Sequence, residues 1–181
     1  MSISFKLILS CFLVVIITSC SPKMHPFTQD MYDRYAWNED DLKSIQFYLS
    51  REVVLRRSKS RGASEIVDGK IKDLRDRKVQ EVIIPAKTPG VLVFLPKSNR
   101  FGISFEQSGN QKFLMFGPNP KSGGKYVLLA QEWKNRKGKI TYDSETYITE
   151  LGASFSHLLV NVKKAHKIGI RSSVVRGRTV N

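Results

Sequence analysis

The residues best suited to bind something lie between positions 121 and 139. Lys121-Ser122-Gly123-Gly124-Lys125 is a glycine loop between two cations. Trp133-Lys134-Asn135-Arg136-Lys137-Gly138-Lys139 is a basic turn with an aromatic at its edge. Cations neutralise phosphates or carboxylates, and an aromatic face stacks on a sugar or a base. Lys121, Lys125, Trp133, Lys134, Arg136, Lys137 and Lys139 are therefore the candidate anion-binding residues. The first segment lacks the spacing of a phosphate loop, Gly, four residues, then Gly-Lys-Ser/Thr, and a strand is expected after it. Without a helix N-terminus the phosphate cradle loses its main physical basis, so the expected structure is a hairpin loop. A solvated basic turn with no specific ligand accounts for the same residues.

No compact catalytic or metal motif accompanies them. His25 sits near two prolines, and His157 and His166 flank an expected strand with no ligand cluster at metal spacing. Ser154 and Ser156 lie beside His157, but Gly152-Ala153-Ser154-Phe155-Ser156 is not a Gly-x-Ser-x-Gly elbow. The carboxylate pairs Asp73 with Asp76 and Asp143 with Glu145 stand in charged or turn contexts and read as surface. Carboxylates that act together meet in space and not in sequence, which leaves a hydrolase open. No catalytic residue, metal or cofactor is assigned.

The most directive stretch is the start of the chain. Lys6 precedes an apolar run from Leu7 to Thr18, 12 residues long. That is shorter than the roughly 20 residues a membrane-spanning helix needs. A positive start, an apolar centre and a small-residue end are the parts of a secretory signal. The run closes on Ile17-Thr18-Ser19-Cys20, which resembles the bacterial lipoprotein box. The resemblance implies that residues 1–19 are a signal peptide and that Cys20 receives a diacylglycerol and begins the mature chain. The rival Ile8-Leu9-Ser10-Cys11 leaves too short an apolar centre, so Cys11 belongs to the discarded peptide. Cys11 and Cys20 are the only cysteines, so the exported part has no disulfide and its stability must come from packing.

Charge is the second broad feature. The chain has 30 Lys and Arg against 16 Asp and Glu, a net charge of +14. The excess is uneven: residues 20–50 are net −2, 51–80 and 121–140 are each net +5, and 161–181 are net +6, with Arg171, Arg176 and Arg178 in the tail. Such a balance suggests an anionic neighbour. For an exported, lipid-anchored domain the fitting partners are anionic lipid, lipopolysaccharide, cell-wall polymer or outer-membrane proteins, with no nucleic acid expected.

Positioning these residues falls to a chain that reads as mostly β. Residues 20–37 look like a tether, with Tyr32, Tyr35 and Trp37 either docking it onto the domain or forming a membrane-interface belt, the docking preferred. Asn38 followed by Glu39-Asp40-Asp41 is a helix start, and a helix is expected from Glu39 to about Tyr48. Strands are expected over 51–56, 77–84, 91–95, 101–105, 112–116, 125–130 and 158–162. Hairpin turns are expected at Asp68-Gly69 and Asp143-Ser144, and a loop over 117–124. Turn signals every 8–12 residues predict a single antiparallel barrel or sandwich over 38–181, preceded by a short N-terminal helix.

The segments Asp41–Tyr48, Thr88–Val91, Phe113–Pro118 and Gly124–Ala130 together resemble a group of small uncharacterised lipoproteins of Bacteroidota. That resemblance covers most of the mature chain and implies location without mechanism. Surface-exported lipoproteins of those bacteria carry acidic residues after the lipidated Cys. Here Ser21-Pro22-Lys23-Met24 is not acidic, which implies the periplasmic face of the outer membrane. The expected function is a non-enzymatic, lipid-anchored envelope protein that binds or scaffolds other envelope components through its basic turns. A hydrolase of cell-wall glycan or peptide, and an accessory lipoprotein of an outer-membrane secretion or transport machine, are the alternatives.

Overall fold

Antiparallel pairing organises the computed structural model, which describes residues 23–60, 64–67, 70–73, 77–107 and 112–168. The strands are β1 (His25–Pro26), β2 (Phe47–Leu49), β3 (Val53–Ser60), β4 (Ser64–Val67), β5 (Lys70–Asp73), β6 (Arg77–Ile84) and β7 (Pro89–Lys97). They continue with β8 (Arg100–Ser104), β9 (Phe113–Asn119), β10 (Lys125–Leu128), β11 (Glu132–Lys134), β12 (Lys137–Tyr142), β13 (Glu145–Thr149) and β14 (Leu158–Val160). Three short helices accompany them: α1 (Gln29–Tyr35), α2 (Glu39–Lys43) and α3 (Val162–Ala165). One sheet runs β1-β14-β2-β7-β8-β9-β10, a second runs β11-β12-β13-β3-β6, and β4 and β5 pair alone.

Of the two architectures left open by the sequence, the closed barrel is not formed among the described residues. The outer strands β1 and β10 share no ladder. On the open side of β10 only isolated bridges form, at Thr28–Lys125 and Val127–His157. The Tyr126 amide donates to the Phe27 carbonyl at 3.0 Å and the Leu128 amide to the Ser156 carbonyl at 2.9 Å, which satisfies part of that edge.

The helix expected from Glu39 to about Tyr48 stops at Lys43. Its start forms as the residues dictate: Asn38 accepts from the Asp41 amide at 2.9 Å, and Asp41 accepts from the Asn38 amide at 3.2 Å. Its continuation loses to the sheet. Phe47 and Leu49 are fully buried with Tyr48 half-buried between them, a period of two, and β2 pairs with both β14 and β7. A one-turn helix has little intrinsic stability with which to resist that.

The segment expected as a tether is also structured from residue 23 onward. β1 pairs with β14, and Thr28 caps α1 by accepting from the Met31 amide at 3.2 Å. Phe27 is fully buried. Its ring lies 5.9 Å from Trp37, 5.3 Å from Phe47, 5.6 Å from Phe101 and 4.9 Å from Tyr126, centroid to centroid. Tyr35 stacks on Trp37 at 4.8 Å, so the aromatic cluster docks this segment on the core. Each buried ring of this kind contributes about 1.5–3 kcal/mol.

The other expected strands form, with shifted ends. The Asp143-Ser144 hairpin has φ of 50° and 62° at its two central residues, the left-handed pair a two-residue turn needs. Asp68-Gly69 lies outside the described residues, between β4 and β5. The loop over 117–124 is shorter than expected, because β9 runs on to Asn119 before the Pro120–Ser122 turn.

Candidate functional site

The basic turn singled out by the sequence is the hairpin β11–β12. Asn135 and Arg136 turn it with φ of 49° and 62°. The register pairs Glu132 with Lys139, Trp133 with Gly138 and Lys134 with Lys137. Directly paired residues share a face of the sheet, and neighbours along a strand do not. Glu132, Lys134, Lys137 and Lys139 therefore stand on one face, and Trp133 with Gly138 on the other. Lys139 pairs in turn with Ile148, which is 45 % exposed, and Ile148 with Arg56. Glu132, Asn135, the three lysines and Ile148 line a groove of about 380 Å³, net cationic with one carboxylate opposite Lys139.

Charge on this face is partly balanced. Arg56 bonds Glu81 at 2.5 Å and Glu150 at 2.7 Å, and Lys137 lies 3.9 Å from Glu150. Among the described residues Lys134, Arg136 and Lys139 have no ion pair. The groove is thus cationic, with one apolar residue at its side.

Trp133 does not belong to that groove. Its ring packs on Gly138, where a Cβ would sit 2.8 Å from the indole, so only glycine leaves room beneath it. It lines a separate hollow with Pro118, Pro120 and Ser154. The expectation of one patch combining Trp133 with the lysines is corrected by strand alternation. Lys121 is exposed in the turn Pro120–Ser122, which Asn119 caps by accepting from the Lys121 amide at 3.0 Å. Lys125 is half-buried at the start of β10. Gly123 and Gly124, with φ of 66° and 70°, complete a hairpin connection between β9 and β10. Neither cation lines the lysine groove or the Trp133 hollow. Cys20 and the arginines of the tail lie outside the described residues.

The remaining chemistry-bearing residues disperse. Neither Ser154 nor Ser156 meets His157. The Ser156 hydroxyl donates to the Arg51 carbonyl at 3.3 Å. Ser50, which the sequence offered no reason to pick, lies 3.1 Å from His157 Nδ1 and accepts from the His157 amide at 2.9 Å. The same Nδ1 is 3.2 Å from the Phe155 carbonyl. A proton donated to that carbonyl leaves this nitrogen unable to act as a base toward Ser50. No carboxylate among the described residues orients the ring. Burial lowers the His157 pKa, the Phe155 carbonyl opposes that, and Lys125 and Arg51 add to the lowering. No group of three metal-ligating side chains occurs among the described residues. His25 pairs in β1, and His166 packs edge-on against Tyr35 at 5.2 Å. Glu145 pairs with Arg57 at 2.8 Å, and Asp143 sits in its turn.

One polar cluster joins the two sheets and was missed in the sequence. Glu106, just after β8, accepts from Lys112 Nζ at 2.8 Å and from the Tyr142 hydroxyl on β12. The Lys112 bond first and the Tyr142 bond second lower the Glu106 pKa against the opposing effect of burial. Burial foremost, then the Glu106 bond, raise that of Tyr142. Nothing local marks this trio, because its members come from β12 and from either side of the β8–β9 connection.

Compared with known proteins, the chain matches no family model, no curated protein and no solved structure.

Proposed function

We propose that this chain is a non-enzymatic, lipid-anchored envelope protein that holds an anionic envelope component on the lysine face of its β11–β12 hairpin. The observation that carries the reading is the register of that hairpin, which sets Lys134, Lys137 and Lys139 on one face with two of the three unpaired. Three donors of like charge beside Ile148 suit a phosphorylated or carboxylated polymer with an apolar edge, as in lipopolysaccharide. The two larger sheets serve as the layers of a sandwich-like domain that presents this face. Lipid on Cys20 tethers it to the outer membrane, facing the periplasm. The hydrolase reading draws no support from the Ser50–His157 pair, whose Nδ1 is shared between the Ser50 hydroxyl and the Phe155 carbonyl and whose ring no carboxylate among the described residues orients.

The test is sedimentation of the protein with lipopolysaccharide and, separately, with phosphatidylglycerol vesicles. About 1 kcal/mol per basic residue near an anionic surface means that Lys134→Gln with Lys139→Gln weakens binding about thirty-fold. Raising the salt to roughly 0.5 M weakens wild type by a similar factor, because these charges are exposed. Binding that ignores both changes refutes the role of this face. A Cys20→Ala chain that stays in the membrane fraction refutes the anchor.

A further inference from the structure

We infer that the cleft between β9 and β12 binds a single-chain amphiphile with an anionic head group, and that Arg100 holds the head. This site is independent of the lysine groove. It follows from the same alternation that builds the core. On β9, Leu114 and Phe116 are fully buried, and they turn Phe113 and Met115 to the opposite face of the sheet. There the two half-buried side chains meet Leu129, Ala130 and Ile140 around a cleft of about 450 Å³. That is within the size range of small-molecule sites, roughly 300–1,000 Å³. Phe94 is 47 % exposed and lies 5.5 Å from Phe113, so the apolar wall continues outward past the mouth.

Arg100 is the one charged residue in the lining. It has no ion pair and no side-chain hydrogen bond among the described residues. Its stem passes over Gly117: a Cβ there would press on Leu129 Cδ1 at 3.0 Å and touch Arg100 Cδ at 3.4 Å. The arginine stem and Leu129 thus both lie over this glycine, the stem as a methylene extension of the apolar wall with the guanidinium at the rim. The side-chain Nε2 of Gln131 donates to the Thr141 hydroxyl at 2.7 Å, and both residues border the cleft. An apolar trough with a single planar cation at its rim matches an alkyl chain ending in a carboxylate or a phosphate, either of which the guanidinium fork can bind through two parallel bonds. A polyanionic polymer would leave the apolar wall unused, and a neutral chain would leave the guanidinium unpaired.

The experiment is calorimetric titration of the full chain with dodecanoate and with dodecyl phosphate, each below its micelle concentration. Dodecanol is the uncharged control, and the Met115 methyl resonance locates the ligand. One saturable site is expected for both anions, with a shift of Met115, and the tighter of the two identifies the head group. Arg100→Gln, at an exposed position, weakens both anions about ten-fold and leaves dodecanol unchanged. Met115→Trp fills the trough and removes all three. Lys134→Gln with Lys139→Gln changes none of them, which separates this site from the lysine groove. Absence of a saturable site, a Met115 signal that does not move, or anion binding indifferent to Arg100→Gln overturns the inference. Dodecanol binding as tightly as dodecanoate overturns the role of Arg100.

Discussion

Removing one hydroxyl, by Tyr142→Phe, tests the bond that clips the two sheets together. The Tyr142 side chain is buried, its hydroxyl donates to Glu106, and Glu106 also holds Lys112 at 2.8 Å. A hydrogen bond to a charged group contributes about 1.5–3 kcal/mol. Glu106 is half-buried, so water reaches part of the carboxylate and replaces some of what is lost. The lower end, about 1.5 kcal/mol at pH 7, is therefore expected. Glu106→Gln provides the pH signature. The folded pKa of Glu106 is depressed below its ordinary 4.5, so its charged interactions stabilise the fold fully above about pH 4.5 and are lost as the pH falls through the folded value. The gap between wild type and Glu106→Gln should be widest at pH 7 and close below that value. Urea unfolding at pH 7 and at steps between roughly pH 5 and 3 measures both quantities, with an unchanged denaturant slope as the check that only stability moved. A Tyr142→Phe protein as stable as wild type at pH 7, or a Glu106→Gln gap that does not close in acid, refutes the assignment of this trio as a latch.

Two further changes probe the fold. Phe27→Ala removes a fully buried ring that touches four aromatics, and should cost about 3–5 kcal/mol in the same unfolding assay; a loss under about 1 kcal/mol would mean that the segment around β1 is not part of the cooperative core. Arg136→Gly should stabilise. Relief of the left-handed backbone at φ 62° gains about 1–2 kcal/mol, and the added chain entropy of glycine takes back about 0.5–1, so a change between about 0 and +1.5 kcal/mol is expected, and any loss of stability counts against the turn geometry.

What could be read in the sequence was what is local. Phe101 and Ile103 alternate with Gly102 and Ser104, and they form β8 with the two larger residues fully buried. Asp143-Ser144 turns where turn chemistry said it would. The failures are all contests that a distant partner decided. Phe47 to Leu49 left the helix because β7 and β14 flank it on both sides. His25–Pro26 became a strand because Val160 and Leu159 lie opposite, far along the chain. The Glu106–Lys112–Tyr142 trio and the Ser50–His157 contact have no periodic signature at all. At the candidate site the residue types were legible, but their facing was not. Trp133 and Lys134 are neighbours in sequence and look like one patch, and only knowing that they form a strand shows that they point apart.

β12 is where the two proposed surfaces meet. Along it Lys137, Lys139 and Thr141 are exposed, and Gly138, Ile140 and Tyr142 are buried. The lysine groove thus uses one face of this strand. The latch to Glu106 uses the other, and the Arg100 cleft is bordered from both, by Ile140 on the buried face and Thr141 on the exposed one. β11 pairs with Lys137 to Lys139 and β13 with Lys139 to Tyr142, so β12 is held from one side at its start and from the other at its end. Lys134, Lys137 and Lys139 do not line the cleft, so their charge can vary without changing its wall, while a change at Tyr142 acts on the join between sheets beside it. If the cleft binds its ligand, the sensitive position for that binding outside the lining is Tyr142, and the lysines a few residues away are not.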